Sequence, residues 1–254
     1  MGDDKKDRRL APKKASLPCR SLITHHPSRT LALLQGLRFI DSFFPSGGYA
    51  FSSGLEAAVQ GGAVRDAEDA RCYVTDLLRN GLGRREAVAV GAAQGAGAVG
   101  VVQPALDADR ELETMKTGRE SRLASRQMGR HLMRVAGGPD SAPVLQAFLG
   151  WVEERKTPGH LPVSLGLTLG ALGWMKEDAI AAYLYQTSTG LVSAALKLLP
   201  IGQQRGQWLL ESWLPLIADL SREAASRTEM SAWVPIQDIH AMRHASLTTR
   251  LFRS

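Results

Sequence analysis

Residues Asp107–Val135, DADRELETMKTGRESRLASRQMGRHLMRV, carry the most amphipathic pattern in the chain. At 100° per residue Arg119, Arg122, Arg126, Arg130 and Arg134 fall within one arc of about 120°, and Ser121, Ala124, Met128, Leu132 and Val135 gather opposite. Such a segment reads as a helix with one buried and one basic face. The same periodicity continues on both sides. Helices are expected at Ala142–Glu154, Pro162–Trp174, Lys176–Leu199 and Gln204–Arg227, the last with a Leu209, Trp213, Leu216, Leu220, Ala224 stripe and a kink at Pro215. Upstream, Asp66 is a plausible N-cap, followed by Glu68 and Asp69 in the first turn and Ala70, Tyr73, Val74, Leu77 and Leu78 at helical spacing up to Asn80-Gly81. Leu31, Leu33, Leu34, Leu37 and Ile40 predict a first buried helix from Thr30, and Ser53–Gln60 a short second one. From Trp233 the chain is expected to begin extended and become short helix or tail. Strand signals are nearly absent. The reading is all-α: a single-domain bundle of roughly eight to ten helices over residues 30–254, preceded by a flexible basic extension, 1–29.

The charge distribution narrows the partners. The chain of 254 residues has a net charge of +6, but residues 1–29 hold eight Lys/Arg against three Asp, which leaves 23 basic and 22 acidic residues beyond Arg29. A folded part with a net charge of only +1 offers no generally basic surface for nucleic acid. Cys19 and Cys72 form neither a disulfide framework nor a C-x-x-C motif, which suits a reducing cytoplasm. The N-terminal residues lack an apolar h-region, which argues against a secretory signal. Thr157–Met175 and Ala179–Leu196 contain no Asp, Glu, Lys or Arg and approach spanning length. Their Pro and hydroxyl residues favour central helices of a bundle or a subunit interface over a membrane, with Gly166-x-x-x-Gly170 as a close helix contact.

Chemical motifs are few. Gly95-x-Gly97-x-x-Gly100 matches a dinucleotide fingerprint, and a nucleotide-dependent enzyme using this loop is the alternative function, although the motif has meaning only between a strand and a helix. His240 and His244 stand at i, i+4 and could share a divalent metal, but two ligands are too few for a tight site. The arginine stripe could meet phosphate, a partner's carboxylates or water. No nucleophile is tied to a particular histidine.

Three segments outrank these motifs in specificity. Phe44-Pro45-Ser46-Gly47-Gly48-Tyr49-Ala50-Phe51-Ser52-Ser53-Gly54-Leu55-Glu56, then Leu191–Gln203 with Gly206-Gln207, then Asp238–His244 running to Arg250-Leu251-Phe252-Arg253-Ser254 stand in the order and placement of the UreF family of urease accessory proteins, which the chain resembles from about Leu31 to its end. Ser125–Arg130 and His160–Val163 add to the match; Lys197, Ile201 and His240 depart from it. The resemblance implies an all-α, commonly dimeric, non-enzymatic adaptor. Such an adaptor binds UreD (also called UreH), recruits the GTPase UreG, and docks on apo-urease to support GTP-dependent nickel delivery. It implies no resident cofactor, with nickel only in transit. It also implies partner binding at Tyr49, Ser52, Glu56, Arg250, Leu251, Phe252 and Ser254, with Arg126 and Arg130 as secondary contacts. The plain alternative is that Leu251 and Phe252 tuck into the protein's own core.

Overall fold

The computed structural model describes residues 28–41, 43–45 and 47–253; the backbone of Tyr49 is described but not its side chain. The expectations for residues 1–27, the Tyr49 side chain and Ser254 therefore lie outside the described residues. Eleven α-helices and no strand occur among the described residues. The helices are α1 (Arg29–Ile40), α2 (Leu55–Gln60), α3 (Ala67–Leu77), α4 (Glu86–Val99), α5 (Gln103–Met115) and α6 (Arg119–Ala136), followed by α7 (Pro143–Glu153), α8 (Leu161–Ala171), α9 (Lys176–Leu198), α10 (Gln203–Ser226) and α11 (Pro235–Arg243).

The uncharged segment around Leu165 is the centre of the molecule. In α8 every residue from Pro162 to Gly170 is buried, as expected of a helix apolar on all sides. It crosses α4 at very short range. A Cβ at Gly166 or Gly170 would run into the carbonyls of Val90 and Gln94, and one at Gly97 into that of Leu167. The glycine pair therefore serves close helix packing in a protein core. No helix among the described residues is long and apolar enough to cross a membrane.

The Gly/Ala-rich stretch, ambiguous in sequence, is the second half of α4, which ends with Gly100 in the left-handed conformation (φ 74°). Gly95 and Gly97 thus sit in a helix interior with no strand before them, so the geometry of a phosphate-binding loop is missing and the nucleotide reading falls. Asp66 caps α3 as expected, its carboxylate accepting from the Glu68 and Asp69 amides at 2.9 Å each. Past Leu77 that helix widens into one π turn, Leu78–Leu82. Helix α10 continues through Pro215 and buries Leu209, Trp213, Leu220 and Ala224, packing back on α9.

Two expectations need correction. Asp107–Val135 is not one helix: the chain turns extended at Lys116 (ψ 100°) and Gly118 (ψ 119°), separating α5 from α6. The break lets the Lys116 ammonium reach inward to the Glu86 carboxylate, 2.6 Å away. The leucines of α1 are not buried either. The helix seats itself through Ala32, Gly36 and Phe39. The Trp174 indole lies where a Cβ of Gly36 would be and donates to the Ala32 carbonyl at 2.9 Å. The Gln186 amide caps the end of α1 at the Phe39 and Ile40 carbonyls. Leu31, Leu33, Leu34 and Leu37 face outward. Periodicity could not choose a face here, because nearly the whole helix is apolar and the small residues fit where the large ones do not.

Candidate docking site

The first and last of the three matching segments meet in space. Gly47 and Gly54 both adopt left-handed φ, 79° and 84°, bracketing a 3-10 turn at Gly48–Ala50 and admitting the chain to α2. Only glycine fits at position 54, since a Cβ there would lie 2.8 Å from the Ala241 amide nitrogen of α11. This close approach places Glu56 beneath the C-terminal tail. The Glu56 side chain is fully buried and accepts the backbone amides of Leu251 at 2.6 Å and Phe252 at 3.1 Å, with the Nε2 of His244 2.8 Å away. The Nδ1 of His244 lies 2.8 Å from Glu120, whose other oxygen is 3.2 Å from Arg250. The Arg253 amide donates to the Ala50 carbonyl at 2.7 Å, and the Gln60 side chain to that of Thr249 at 3.0 Å. Charge-assisted bonds in a dry site are the strong ones, so four residues of the motif and its tail form one clasp across some 190 positions of sequence.

Each expected residue has a definite place. Ser52 is buried, its hydroxyl accepting weakly from the Glu56 amide at 3.4 Å. Phe252 is buried in the hydrophobic core, with the Lys197 ammonium 5.3 Å above its ring. Leu251, its neighbour, is 68% exposed. Arg250 is partly exposed and also donates to the Leu247 and Ala245 carbonyls. Thus the tail tucks one side chain inward and turns the other out. Beside it, Trp233, just ahead of α11, and Ile236, Ile239 and Met242 on that helix are exposed at intervals of three residues, an apolar stripe unusual beside a helix whose other side is packed.

The arginine stripe is largely spoken for. Arg126 makes a two-pronged pair with Glu113, Arg130 donates to the Pro158 carbonyl at 2.9 Å, and Arg122 to that of Lys116 at 2.9 Å. Arg119 and Arg134 remain exposed. The repulsion expected along this face is relieved from within, chiefly by Glu113. Burial would raise the Glu113 carboxyl, but the hydrogen bonds from Arg126 and His160 outweigh it and hold it below the ordinary range. Below it, the buried Asp109 accepts from the Thr157 hydroxyl and the Gly159 and His160 amides at 2.6–2.8 Å.

Metal ligation finds little support in the two late histidines. Helix α11 ends at Arg243 and His244 opens a 3-10 turn. Both of its nitrogens face carboxylates, while His240 leans on the Tyr73 ring with centroids 6.1 Å apart. No group of three or more His, Cys, Asp or Glu side chains suited to a metal occurs among the described residues.

His160 supplies a pH prediction. Burial and the nearby Lys116 charge push its imidazole down to about 4, against the pull of Glu113. The unfolded chain binds this proton at an ordinary histidine value near 6.5, so the neutral buried ring contributes stability that is complete above pH 6.5 and lost as pH falls toward 4. The melting temperature is expected to drop through that window. A His160→Asn variant should flatten the slope between pH 6.5 and 5, as read by thermal denaturation monitored by circular dichroism.

Glu120 and Asp109 carried no local signal in sequence, because each acquires its role from a segment dozens of positions away, and Glu113 draws its partners Arg126 and His160 from 13 and 47 positions away. The α11 stripe did carry one, in its three-residue spacing, on a stretch expected to be extended at first.

A family model described as UreF matches residues 64–214. The urease accessory protein UreF of Methylobacterium sp. (strain 4-46) is 32% identical over 222 residues, 86% of this chain and 87% of that protein. The protein of the same name from Xanthobacter autotrophicus (strain ATCC BAA-1158 / Py2) is 31% identical, covering 88% and 92%. That of Bacillus sp. (strain TB-90) is 29% identical, covering 89% and 100%. With the signature loop and the terminal motif joined in one clasp and the similarity running through most of the chain, this protein belongs to the UreF family of urease accessory proteins.

Proposed function

We propose that the chain is a non-catalytic adaptor of urease maturation in the cytoplasm, binding UreD/UreH and the GTPase UreG, bridging them to apo-urease and supporting GTP-dependent nickel delivery. A homodimer is part of this reading. Nickel is cargo, carried without a resident site. The observation that supports docking best is the tail: Glu56 fixes the backbone of residues 251 and 252 so that Leu251 stands out beside Arg250, while Trp233 and, on α11, Ile236, Ile239 and Met242 are exposed. Exposed aromatic and aliphatic anchors on a backbone already held in place lose little entropy on binding. Ser52, Glu56 and Phe252 act as supports of that surface, and Tyr49 and Ser254 as further contacts. Arg126 and Arg130 contribute through the shape of α6.

The test is light scattering on a sizing column of the full chain mixed with its cognate UreD and UreG, comparing wild type with Leu251→Asp. Wild type should form the complex. Leu251→Asp should weaken it by about tenfold or more, a typical cost for a central anchor, with the melting temperature unchanged because the side chain is solvated. Full-strength assembly of the variant would remove Leu251 from the contact, and no complex with wild type would remove the adaptor role.

A further inference from the structure

His244 stands between two acids, and the row they form fixes how many protons it must hold. Its Nε2 lies 2.8 Å from Glu56 and its Nδ1 2.8 Å from Glu120. The His244 and Glu56 side chains are wholly buried, and that of Glu120 is 23% exposed. A ring nitrogen and a carboxylate oxygen at such a distance need a hydrogen between them, because two lone pairs set face to face repel. Two contacts therefore need two protons. A neutral imidazole beside two carboxylates supplies only one. The surroundings put the second on the ring. Glu56 already accepts the Leu251 and Phe252 amides, and Glu120 accepts from the Arg250 guanidinium at 3.2 Å, bonds that favour the ionised acid in both cases. The charged groups facing His244 are thus Glu56 from α2 and Glu120 from α6, with Arg250 of the tail behind Glu120. Lys197 of α9 lies over the Phe252 ring instead.

We propose that the row Glu56–His244–Glu120 is a proton-dependent latch for the C-terminal tail, closed while the imidazole carries both protons and released when rising pH removes one. Loss of that proton sets a ring lone pair against a carboxylate in a dry site, where an unsatisfied contact is most unfavourable. The least disruptive relief is local: the segment from His244 onward leaves α2 and takes Leu251 and Phe252 off Glu56. The sign is opposite to that of His160, whose contribution is lost as pH falls; this one is lost as pH rises. The latch stands on the geometry of the row. Its consequence for partners rests on the adaptor reading, in which the docked tail presents Leu251 and Arg250, and adds that this presentation depends on pH.

The experiment is amide hydrogen exchange of the full chain, read by NMR at Leu251 and Phe252 between about pH 6 and 9, the range above ordinary histidine titration. Rates are corrected for the intrinsic pH dependence of exchange, with the amides of α8 as reference. One proton linked to closure makes protection fall tenfold per pH unit once the latch opens. A loss of about tenfold or more at the two tail amides is therefore expected, with α8 unchanged. Glu120→Gln separates a latch from plain support. Its NH2 group can donate to Nδ1 of a neutral ring while Nε2–H donates to Glu56, and its oxygen still accepts from Arg250. That row needs one proton fewer, so the variant should hold the tail as firmly at the alkaline end as at the acid end. Flat protection in wild type would overturn the latch, and an equal fall in Glu120→Gln would overturn the assignment of the proton to this row. Light scattering of wild type with UreD and UreG over the same range should show assembly weakening in parallel, with Glu120→Gln spared. Tail release with full-strength assembly would leave the latch standing and overturn partner docking through the tail.

Discussion

Glu56→Gln is expected to free the C-terminal tail and, on the proposed adaptor function, to weaken partner binding with it. In the wild type one buried carboxylate receives two consecutive backbone amides, Leu251 and Phe252, and faces His244. A glutamine keeps the shape but replaces one acceptor oxygen with an NH2 group, which points a donor at donors. Hydrogen bonds to a buried charge contribute about 1.5–3 kcal/mol each, so the local cost exceeds what the short tail gains from Phe252 alone. The tail can escape this cost by undocking, and the damage therefore stays local. The expected signature is a loss of amide-exchange protection at Leu251 and Phe252 by about 100-fold or more and a modest fall in melting temperature; under the proposed function a comparable loss of affinity for UreD and UreG accompanies it, because the competent tail is then a minor population. Unchanged protection at those two amides would show that Glu56 does not hold the tail.

Glu86→Gln should produce the largest loss of stability. The carboxylate is fully buried, 3.0 Å from the Arg85 guanidinium and 2.6 Å from the Lys116 ammonium. Burial alone would push its carboxyl up; the charges and hydrogen bonds of Arg85 and Lys116 outweigh burial and hold it at about 2. Removing the charge leaves two nearly buried cations without their shared counter-ion, a change that typically costs about 3–5 kcal/mol. For a domain of this size that corresponds to a fall of about 10 °C in melting temperature. The sign with pH follows. The folded value lies below the ordinary 4.5, so the contribution is complete above pH 4.5 and lost as pH falls toward 2. Wild type should therefore lose stability through that range, and Glu86→Gln, already less stable at neutral pH, should lose less of it there. Equal melting temperatures at pH 7 would mean that the triad is stabilised mainly by water and not by Glu86.

Much of this architecture was legible in the residues. Asp66 followed by two acids and a helical apolar pattern caps α3, and the uncharged Thr157–Met175 run read as a central helix or a subunit interface, of which the buried α8 is the first. The terminal motifs pointed to the family. Elsewhere the same rules misled for a definable reason. The Arg stripe from Arg119 to Arg134 looked like one basic face, yet Arg122, Arg126 and Arg130 are engaged by carbonyls and by Glu113. The α1 leucines looked like core, yet Ala32 and Gly36 take that place.

The sequence by itself determined the helical class, most helix positions and the family, because helix periodicity, capping and signature segments are properties of neighbours along the chain. Only the tertiary structure decided that Glu56 and the tail are one site, that Lys116 breaks a helix to reach Glu86, and that α1 turns its leucines outward. Those outcomes depend on which distant atoms fill a given volume and satisfy a given buried charge, and neither quantity is local.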